Sequence, residues 1–345
     1  MVTKCQFGYH KTRYWGLDKN TAQLITQFVL KNLQINNKGK MIIVIGDFIV
    51  DEFHYGQATR ISPEAPNLIL DLDEIKIIKG GAYNVVEHLR NLDNKVHFVS
   101  LIGRKNINQI EVDNFFCEDD ELLYDDNRLR TIKTRMVAKY RHTTLLRVDQ
   151  EDRFDISPKQ EEKIIDIIKK LITFNECNGI CIVDYCKGFV TNGLAREIIN
   201  LSAEKKIKTY VDSKSRDVAK FTGAYLLKPN KNEFLLMKSL YGFAEFSDEL
   251  FVGHLYKNFK IENILRTLGE DGVELYIEGK KAIDIQGHIC EIKELSGAGD
   301  SLLAGTVHLH SEGTNIINAV DKANRAASIF ISNGVDYRLQ KSDLN

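Results

Sequence analysis

The chain has 345 residues, of which 43% are hydrophobic and 28% are charged, and its formal net charge is -1. This composition is typical of a globular protein with a substantial core, and the length suits one large domain or two ordinary ones. The near-zero net charge argues against a nucleic-acid binder or a binder of anionic membranes. No apolar run approaches the roughly 20 residues that span a bilayer, and residues 1–16 lack the apolar stretch of a secretory signal.

The six cysteines indicate in which compartment the protein resides. Cys177, Cys181 and Cys186 are close in sequence, but no second pair follows at zinc-binding spacing. Cys181 also lies within an apolar run that is typical of a buried strand. We therefore expect reduced structural thiols and a cytoplasmic protein.

Residues 1–40 are predicted to be an N-terminal helical extension and linker. Asn20 and Thr21 can cap a helix whose apolar face carries Ile25, Phe28 and Leu33. The run 36–40 has the composition of a linker. Amphipathic helices of this kind usually serve packing rather than catalysis, so no catalytic role is expected for this segment.

From residue 41 onward, strands alternate with helices. The run 41–45 is apolar and β-branched, as expected for a strand buried on both faces. Further strands are predicted at 96–102, 180–183, 209–211, 225–227 and 263–267, with a hairpin over 273–285. Helices are predicted at 82–91, 157–172, 194–206, 230–240, 298–310 and 315–332. This order predicts a mainly parallel sheet that is covered on both faces.

Two stretches, 57–78 and 131–148, interrupt this order, because they are strand-like without an intervening helix. We expect them to pair with each other as a small accessory sheet. An accessory sheet would have an exposed edge and face unless two copies packed together across a twofold axis. The pattern therefore predicts a homodimer.

The segment 294–300, Glu-Leu-Ser-Gly-Ala-Gly-Asp, stands directly before a helix-forming run. Small residues at a helix start let backbone N–H groups approach an anion, and the helix dipole favours negative charge there. A carboxylate in such a nest, here Asp300, can accept the proton of a substrate hydroxyl. The alternative is a glycine-rich helix start with an ordinary aspartate in its first turn.

Gly297-Ala298-Gly299-Asp300 resembles the C-terminal signature of the ribokinase-like (PfkB) carbohydrate kinases. The resemblance implies a three-layer α/β/α domain over 41–345 with a small β lid at about 52–78 and 131–150. It implies a phosphotransferase that uses ATP and Mg²⁺, with Asp300 as the general base and the amides of Gly297, Ala298 and Gly299 as the anion hole. Glu294 stands where Asp is usual in the family.

Other segments extend the resemblance to about residue 335. Gly46-Asp47 matches the family's N-terminal substrate-binding Asp, and 79–84 resembles its second glycine signature, although a simple turn before a helix is the alternative. The segment 230–233 resembles the Asn-x-x-Glu element, and an N-capped helix with Glu at its third position gives the same pattern. The resemblance implies that Glu233 holds magnesium through water and that ATP is bound by Lys214, Asn230, Glu233, Thr267, Gly269, Gly272 and Asn324.

Within the family, the segments 46–51, 55–56, 60–66, 141–151, 184–188 and 212–214 are most similar to the heptose-7-phosphate kinases. The resemblance implies transfer of the γ-phosphoryl group of ATP to the anomeric hydroxyl of D-glycero-D-manno-heptose 7-phosphate, which gives the 1,7-bisphosphate. The implied substrate contacts are Asp47, Asp51, Arg60, Gly80, Gly81, Asn84, Arg141, Asp184 and Lys187. Some members of this subgroup carry a nucleotidyltransferase domain after the kinase, and we expect that step in a separate polypeptide here.

A phosphorylated sugar needs cations away from its reacting hydroxyl. The candidates are Arg60, Arg141, Arg147, Lys187 and Lys214, and a solvated surface charge is the alternative for each. Two other functions stay open, namely a kinase of this family for another sugar or nucleoside and a non-catalytic sugar-phosphate-binding protein. A dehydrogenase is disfavoured because no G-x-G-x-x-G follows the first strand.

Overall fold

The computed structural model describes residues 41–105, 112–140, 143–293 and 295–345. The expected helical extension at 1–40 therefore lies outside the described residues. The strands are β1 Met41–Gly46, β2 Phe48–Ile61, β3 Leu68–Gly81, β4 Lys95–Lys105, β5 Glu121–Leu129, β6 Ile132–Ala138, β7 Thr143–Gln150, β8 Cys177–Asp184, β9 Thr209–Ser213, β10 Leu226–Leu227, β11 Asn263–Thr267, β12 Val273–Ile277 and β13 Lys280–Ile285. The helices are α1 Ala82–Asn91, α2 Pro158–Phe174, α3 Asn192–Glu204, α4 Lys231–Leu240, α5 Asp248–Phe259, α6 Ala298–Ser311 and α7 Ile316–Asn333.

Nine of these strands form one sheet in the order β13-β12-β11-β10-β9-β8-β1-β4-β5. Neighbours from β11 to β5 are parallel, whereas β12 and β13 are added antiparallel at one edge. The central strand β1 is wholly buried, which explains why its sequence is continuously apolar. The predicted, mainly parallel sheet is confirmed.

Helices cover both faces of this sheet, and β1 shows how the two cores are divided. Ile43 and Ile45 face a core shared with α2, α3, α4 and α5. Ile42 and Val44 face the opposite core, which is shared with α1, α6 and α7. The arrangement is the expected three-layer α/β/α structure.

The remaining strands form a separate four-stranded sheet in the order β3-β2-β6-β7. β2 pairs antiparallel with β3 and parallel with β6, and β6 pairs antiparallel with β7. The two strand-like stretches therefore lie in one sheet, but they do not pair with each other directly, because β6 pairs with residues 50–56 of β2, which precede the first stretch. Asp47 is the single residue between β1 and β2, and Gly81 at the end of β3 leads directly into α1. These two of the four connections between the sheets thus carry residues that were predicted to form the site.

Two elements of the main layers were not predicted, β5 at one edge of the sheet and the helix α5. Cys181 is fully buried, as expected, and the described residues contain no group of His, Cys, Asp and Glu side chains that could hold a metal ion. No helix in the described part of the chain has the length and hydropathy needed to cross a bilayer.

Candidate active site

The helix α6 begins next to the deepest part of the candidate site. Gly297 precedes it with a left-handed backbone, φ 92°. An added Cβ at Gly297 would lie 2.5 Å from Asn84 Nδ2 and 3.1 Å from Phe330 Cζ, so both the backbone angle and the available space require glycine. Asp300 lies in the first turn of α6, and only 6% of its surface is exposed.

Two side chains hold the Asp300 carboxylate. Asn84 Nδ2 on α1 donates a hydrogen bond to Oδ2 at 2.9 Å, and the Tyr185 hydroxyl lies 3.3 Å from Oδ1. The backbone N–H of Tyr185 donates to Asp47 Oδ2 at 2.7 Å. The fold thus brings the predicted residues Asp47, Asn84 and Asp300 together around Tyr185. No role was predicted for Tyr185, although it follows β8 at the strand end where open α/β sheets bind ligands.

The Tyr185 ring is within cation–π distance of two lysines. Lys133 Nζ, on β6 of the small sheet, is 5.3 Å from the ring centroid, and Lys214 Nζ, directly after β9 of the main sheet, is 5.6 Å away. Lys214 was predicted as a cation of the site, whereas Lys133 was not. Tyr185 therefore contacts cations from both sheets while its hydroxyl touches Asp300.

The electrostatic surroundings make Asp300 a weaker acid than usual. Burial raises the pKa of Asp300 to about 6, and the nearby Asp212 adds to the rise. The hydrogen bond from Asn84 and the positive charges of Lys228 and Lys214 act in the opposite direction. A carboxylate with a pKa in this range is ionised at neutral pH and basic enough to take a proton from a hydroxyl.

Asp212 and Lys228 form a buried ion pair beside this carboxylate. Lys228 Nζ lies 2.7 Å from Asp212 Oδ2, and an added Cβ at Gly299 would meet Lys228 Nζ at 3.1 Å. Asp212 Oδ1 is buried and has no hydrogen-bond partner among the described residues. Sequence reasoning gave neither residue a role, although a lysine that directly follows the buried strand β10 is unusual enough to signal one.

Asp47 is also buried, and burial raises its pKa to about 7, with Asp184 adding to the rise. The N–H groups of Tyr185 and Lys187 act in the opposite direction. Asp184 accepts a hydrogen bond from Ser213 Oγ at 2.7 Å and pairs with Lys220 Nζ at 2.6 Å. Asp184 thus already has partners within the protein, and its predicted contact with the substrate stays a prediction.

The glycine pair at 80–81 is packed against β2. An added Cβ at Gly80 would collide with the Asp51 carboxylate, and one at Gly81, where φ is 62°, would collide with the Asp47 carbonyl oxygen. The packing of the two strands is therefore enough to require both glycines. Their contact with a sugar stays a prediction.

On the other side of Asp300, Asn230 and Glu233 form a capping box at the start of α4. Glu233 N–H donates to Asn230 Oδ1, and Asn230 N–H donates to Glu233 Oε2, both at 2.8 Å. Lys214 Nζ lies 2.7 Å from Glu233 Oε1. The structure therefore shows the helix cap that was the alternative interpretation of this segment. Glu233 also forms an ion pair with Lys214.

The remaining residues predicted to bind ATP lie along the neighbouring elements of the main sheet. Thr267 ends β11 and forms an isolated parallel bridge with Asn230. Gly269 and Gly272 follow it with φ values of 71° and 97°. Asn324 of α7 donates to the Gln286 carbonyl oxygen at 3.0 Å. Beginning at the capping box, these positions continue over the end of β11, the turn that follows it and α7.

Ala298, the middle residue of the predicted anion hole, has a hydrogen bond within the protein. Its N–H donates to the Leu295 carbonyl oxygen at 3.3 Å. An anion at this helix start would therefore compete with Leu295 for that donor.

The predicted cations differ in their surroundings. Arg60, on the distal part of β2, is exposed and pairs with Asp71 at 3.0 Å, so the structure does not bring it to Asp300. Arg147 pairs with Asp149 at 2.9 Å, and Lys187 pairs with Glu151. Arg141 and Glu294 lie outside the described residues.

The chain is similar in sequence to a known family and to known proteins over most of its length. The family model described as pfkB family carbohydrate kinase matches residues 40–338. Bifunctional protein HldE of Aliarcobacter butzleri is 31% identical over 303 residues, which cover 86% of this chain and 61% of the relative. Bifunctional protein HldE of Sulfurimonas denitrificans is 31% identical over 294 residues, which cover 84% and 60%. The chain thus spans about three fifths of the length of these relatives.

Two solved structures share the fold at low sequence identity. A ribokinase from Thermotoga maritima has a TM-score of 0.66 at 15% identity, and the match covers 88% of this chain and 98% of that one. Phosphofructokinase-2 from Escherichia coli, in complex with substrates and products, has a TM-score of 0.68 at 13% identity, with 88% and 97% covered. Both matches extend over nearly the whole of the other chain.

Proposed function

The chain belongs to the pfkB family of carbohydrate kinases, and on this basis we propose that it phosphorylates the anomeric hydroxyl of D-glycero-D-manno-heptose 7-phosphate with ATP. That the chain is a sugar kinase, a phosphotransferase with an alcohol acceptor, follows from the family. The choice of a heptose is supported by the similarity to the HldE proteins and by the segments noted in the sequence. The sugar phosphate itself, its reacting hydroxyl and the roles of individual residues belong to the proposal.

One observation supports the catalytic role above the others. Asp300 is buried at the start of α6, is held by Asn84 and Tyr185, and has a pKa raised to about 6. In the proposed reaction it accepts the proton of the acceptor hydroxyl as the new O–P bond forms. The bond between the γ-phosphorus and the bridging oxygen breaks, and ADP leaves.

Stabilisation of the transferring phosphoryl group would come from two sources. The N-terminus of α6 presents backbone N–H groups and the positive end of the helix dipole. Lys214 and Lys228 add positive charge close enough to influence Asp300. Because burial weakens the screening of these charges, their effect on developing negative charge is stronger than it would be in water.

Magnesium fits this site as a largely hydrated ion. No cluster of metal-ligating side chains is present in the described residues, so the ATP phosphates and water would supply most ligands. The unpartnered Asp212 Oδ1 and the Glu233 carboxylate would accept hydrogen bonds from the bound waters. When bound, the ion would neutralise charge on the phosphates.

The decisive experiment is ADP formation from ATP and Mg²⁺ across a panel of sugars. The panel contains heptose 7-phosphate, unphosphorylated heptose, hexose 6-phosphates and nucleosides. We expect heptose 7-phosphate to give the highest kcat/KM. No turnover with it, together with turnover of another acceptor, would leave a pfkB kinase of different specificity.

The variant Asp300→Asn tests the catalytic residue and the non-catalytic alternative together. Asparagine keeps the size of the side chain but cannot take the proton, so kcat should fall by about 10²-fold or more. Binding of ATP and sugar, measured by calorimetry, should persist. Unchanged turnover in the variant would remove Asp300 from the mechanism, and a wild-type protein that binds but never turns over would support a non-catalytic role.

The proposed homodimer is supported by one apolar face of the small sheet. Paired residues on adjacent strands share a face, and the register places Ile77, Glu52, Thr134 and Val148 in one row and Ile75, His54, Met136 and Leu146 in the next. Ile75, Ile77, Leu146 and Val148 are each 41% to 57% exposed. A second copy of the same face would cover them.

A further inference from the structure

The face of the small sheet opposite to this apolar face is rich in charged side chains. In the register of strands β2, β6 and β7, Lys133 lies between Asp51 and Asp149. In the next row of the same face, Arg135 lies between Phe53 and Arg147. We refer to the face defined by these six residues as the cleft face. Asp51 packs against Gly80, and Lys133 packs against the Tyr185 ring, so the cleft face borders the candidate active site.

Positive charge exceeds negative charge on and around the cleft face. Arg135 pairs with Asp51 at 2.5 Å, Arg147 pairs with Asp149, and Lys187 pairs with Glu151. Lys133 has no carboxylate within ion-pair distance in the described part of the chain. Its ammonium group instead lies over the Tyr185 ring at cation–π distance. Each carboxylate of this group is thus already bound to a cation, and Lys133 is the cation that is left over.

An unmatched ammonium group in this position is energetically unfavourable. Burial lowers the pKa of Lys133, and the charges of Lys187, Arg135 and Arg147 lower it further, while Asp51 acts in the opposite direction. A buried charge is stable when a counter-ion and hydrogen-bond acceptors accompany it. An anion with several acceptor oxygens would provide both.

We propose that Lys133 binds the phosphate group that the sugar acceptor itself carries. This assignment rests on the proposed function, because it takes the acceptor to be a sugar phosphate. Tyr185 connects the two ends of the site, since its hydroxyl touches Asp300 and its ring contacts Lys133. A sugar with its reacting hydroxyl at Asp300 would therefore extend its far end toward Lys133. Lys214 is engaged by Glu233 on the ATP side and is not needed for this contact.

The test is calorimetric binding to the full-length chain, without turnover. The probes are heptose 7-phosphate, a hexose 6-phosphate, unphosphorylated heptose and a non-hydrolysable ATP analogue. Lys133→Gln removes the charge and keeps a hydrogen-bond donor, Lys133→Arg keeps the charge, and Lys139→Gln is the matched control. Lys139 directly follows β6 and forms an ion pair with Asp73 of β3 at 3.3 Å.

We expect Lys133→Gln to weaken binding of the sugar phosphate by about 10- to 100-fold, the usual effect of losing a charge-assisted hydrogen bond. Binding of unphosphorylated heptose and of the ATP analogue should not change. Lys133→Arg should retain most of the affinity, and Lys139→Gln all of it.

Two results would overturn the assignment. One is wild-type affinity for sugar phosphates in Lys133→Gln, and the other is an equal loss for phosphorylated and unphosphorylated sugars, which would indicate a structural role. A failure of the proposed function has a different signature. The wild type would then bind a sugar phosphate in a Lys133-dependent way and yet not phosphorylate heptose 7-phosphate. A wild type that binds no sugar phosphate would contradict both proposals.

Discussion

At the residue scale, the site depends on keeping buried carboxylates ionised. Asp300 and Asp47 are both buried, and burial raises the pKa of each. Asp300 keeps a pKa of about 6 because Asn84, Lys228 and Lys214 stabilise the charged form. These neighbours come from α1 and from the ends of β10 and β9, so the strength of the base is a property of the assembled fold.

The hydrogen bond from Asn84 makes a testable contribution to this pKa. A general base works only when it is ionised, so kcat/KM should fall as the pH drops through about 6. Asn84→Ala removes a bond that lowers the pKa, and the acid limb should therefore move to higher pH by about 1 unit.

The measurement is kcat/KM against pH for the wild type and the variant. A substrate phosphate also titrates near pH 6, but it does so equally in both enzymes, so the difference between the two curves reports on the protein. Identical acid limbs would mean that Asp300 is not the group that titrates.

Gly297 gives a second prediction at this scale. Gly297→Ala would combine a left-handed backbone with collisions against Asn84 and Phe330, at a cost of about 2–4 kcal/mol in the free energy of unfolding. Gly313→Ala is the matched control, because φ is 98° there and an added Cβ would meet no atom within 4 Å.

We expect the control to lose about 1 kcal/mol and no activity. Denaturant unfolding and ADP release measure the two effects separately. Equal losses of stability in both variants would show that the space around Gly297 is less restricted than the structure indicates.

At the scale of elements, helix starts carry much of the candidate site. Gly297 precedes α6, Gly81 precedes α1, and Asn230 caps α4. Each helix follows or packs beside the carboxyl end of a main-sheet strand, where backbone donors and dipole ends meet. Asn230 is the position where a structural role and a binding role are hardest to separate by inspection.

A pair of cap variants separates those roles. Asn230 with Glu233 and Ser157 with Gln160 form equivalent capping boxes on α4 and α2. Asn230→Ala and Ser157→Ala should each cost about 1 kcal/mol of stability. If Asn230 and Glu233 also organise ATP and its ion, then only Asn230→Ala should raise the KM for ATP in steady-state assays. Equal KM values in both variants would leave Asn230 as a helix cap alone.

Sequence patterns identified the helices and strands whose apolar residues follow one clear pattern of burial. The helix at 82–91 has the predicted bounds, because its apolar residues repeat at helical spacing. The strand at 263–267 has the predicted bounds as well. β5 was missed because it is a partly exposed edge strand that is interrupted by Asp125, Asp126 and Asn127. α5 was missed although Ser247 caps it and Asp248 and Glu249 stand in its first turn, a recognisable start signal.

The residues of the candidate site also divide into those that the sequence could identify and those that it could not. Asp47, Asn84 and Asp300 stand in short motifs, and their proximity could be inferred from the family resemblance. Lys133 could not be selected in the same way, because an isolated lysine has no distinguishing spacing, and Tyr185 and Lys228 are marked only by their positions directly after β8 and β10. Their importance follows from burial and from contacts between distant segments, which only the folded chain provides.

At the scale of the whole molecule, the proposed homodimer would cover the apolar face of the small sheet. Val148→Glu would place a charge on this face, on the edge strand β7, and should convert the proposed dimer into a monomer, because a buried unpaired carboxylate opposes association. Leu235→Glu is the control, since Leu235 is similarly exposed but lies on α4.

Light scattering at micromolar concentration measures the outcome. We expect a dimer for the wild type and for Leu235→Glu and a monomer for Val148→Glu. A monomeric wild type would refute the dimer, and a dimeric Val148→Glu would place the interface elsewhere.

The separation of the two sheets has an evolutionary consequence. The positions proposed for ATP, from Lys214 to Asn324, lie on the main sheet and its helices, whereas Asp51 and Lys133 belong to the four-stranded sheet. On the proposed assignments, substitutions in β2, β3, β6 and β7 would change which sugar is accepted while the residues of phosphoryl transfer stay the same. Descendants of such a chain could acquire new acceptors by drift in one small sheet, with the chemical step inherited unchanged.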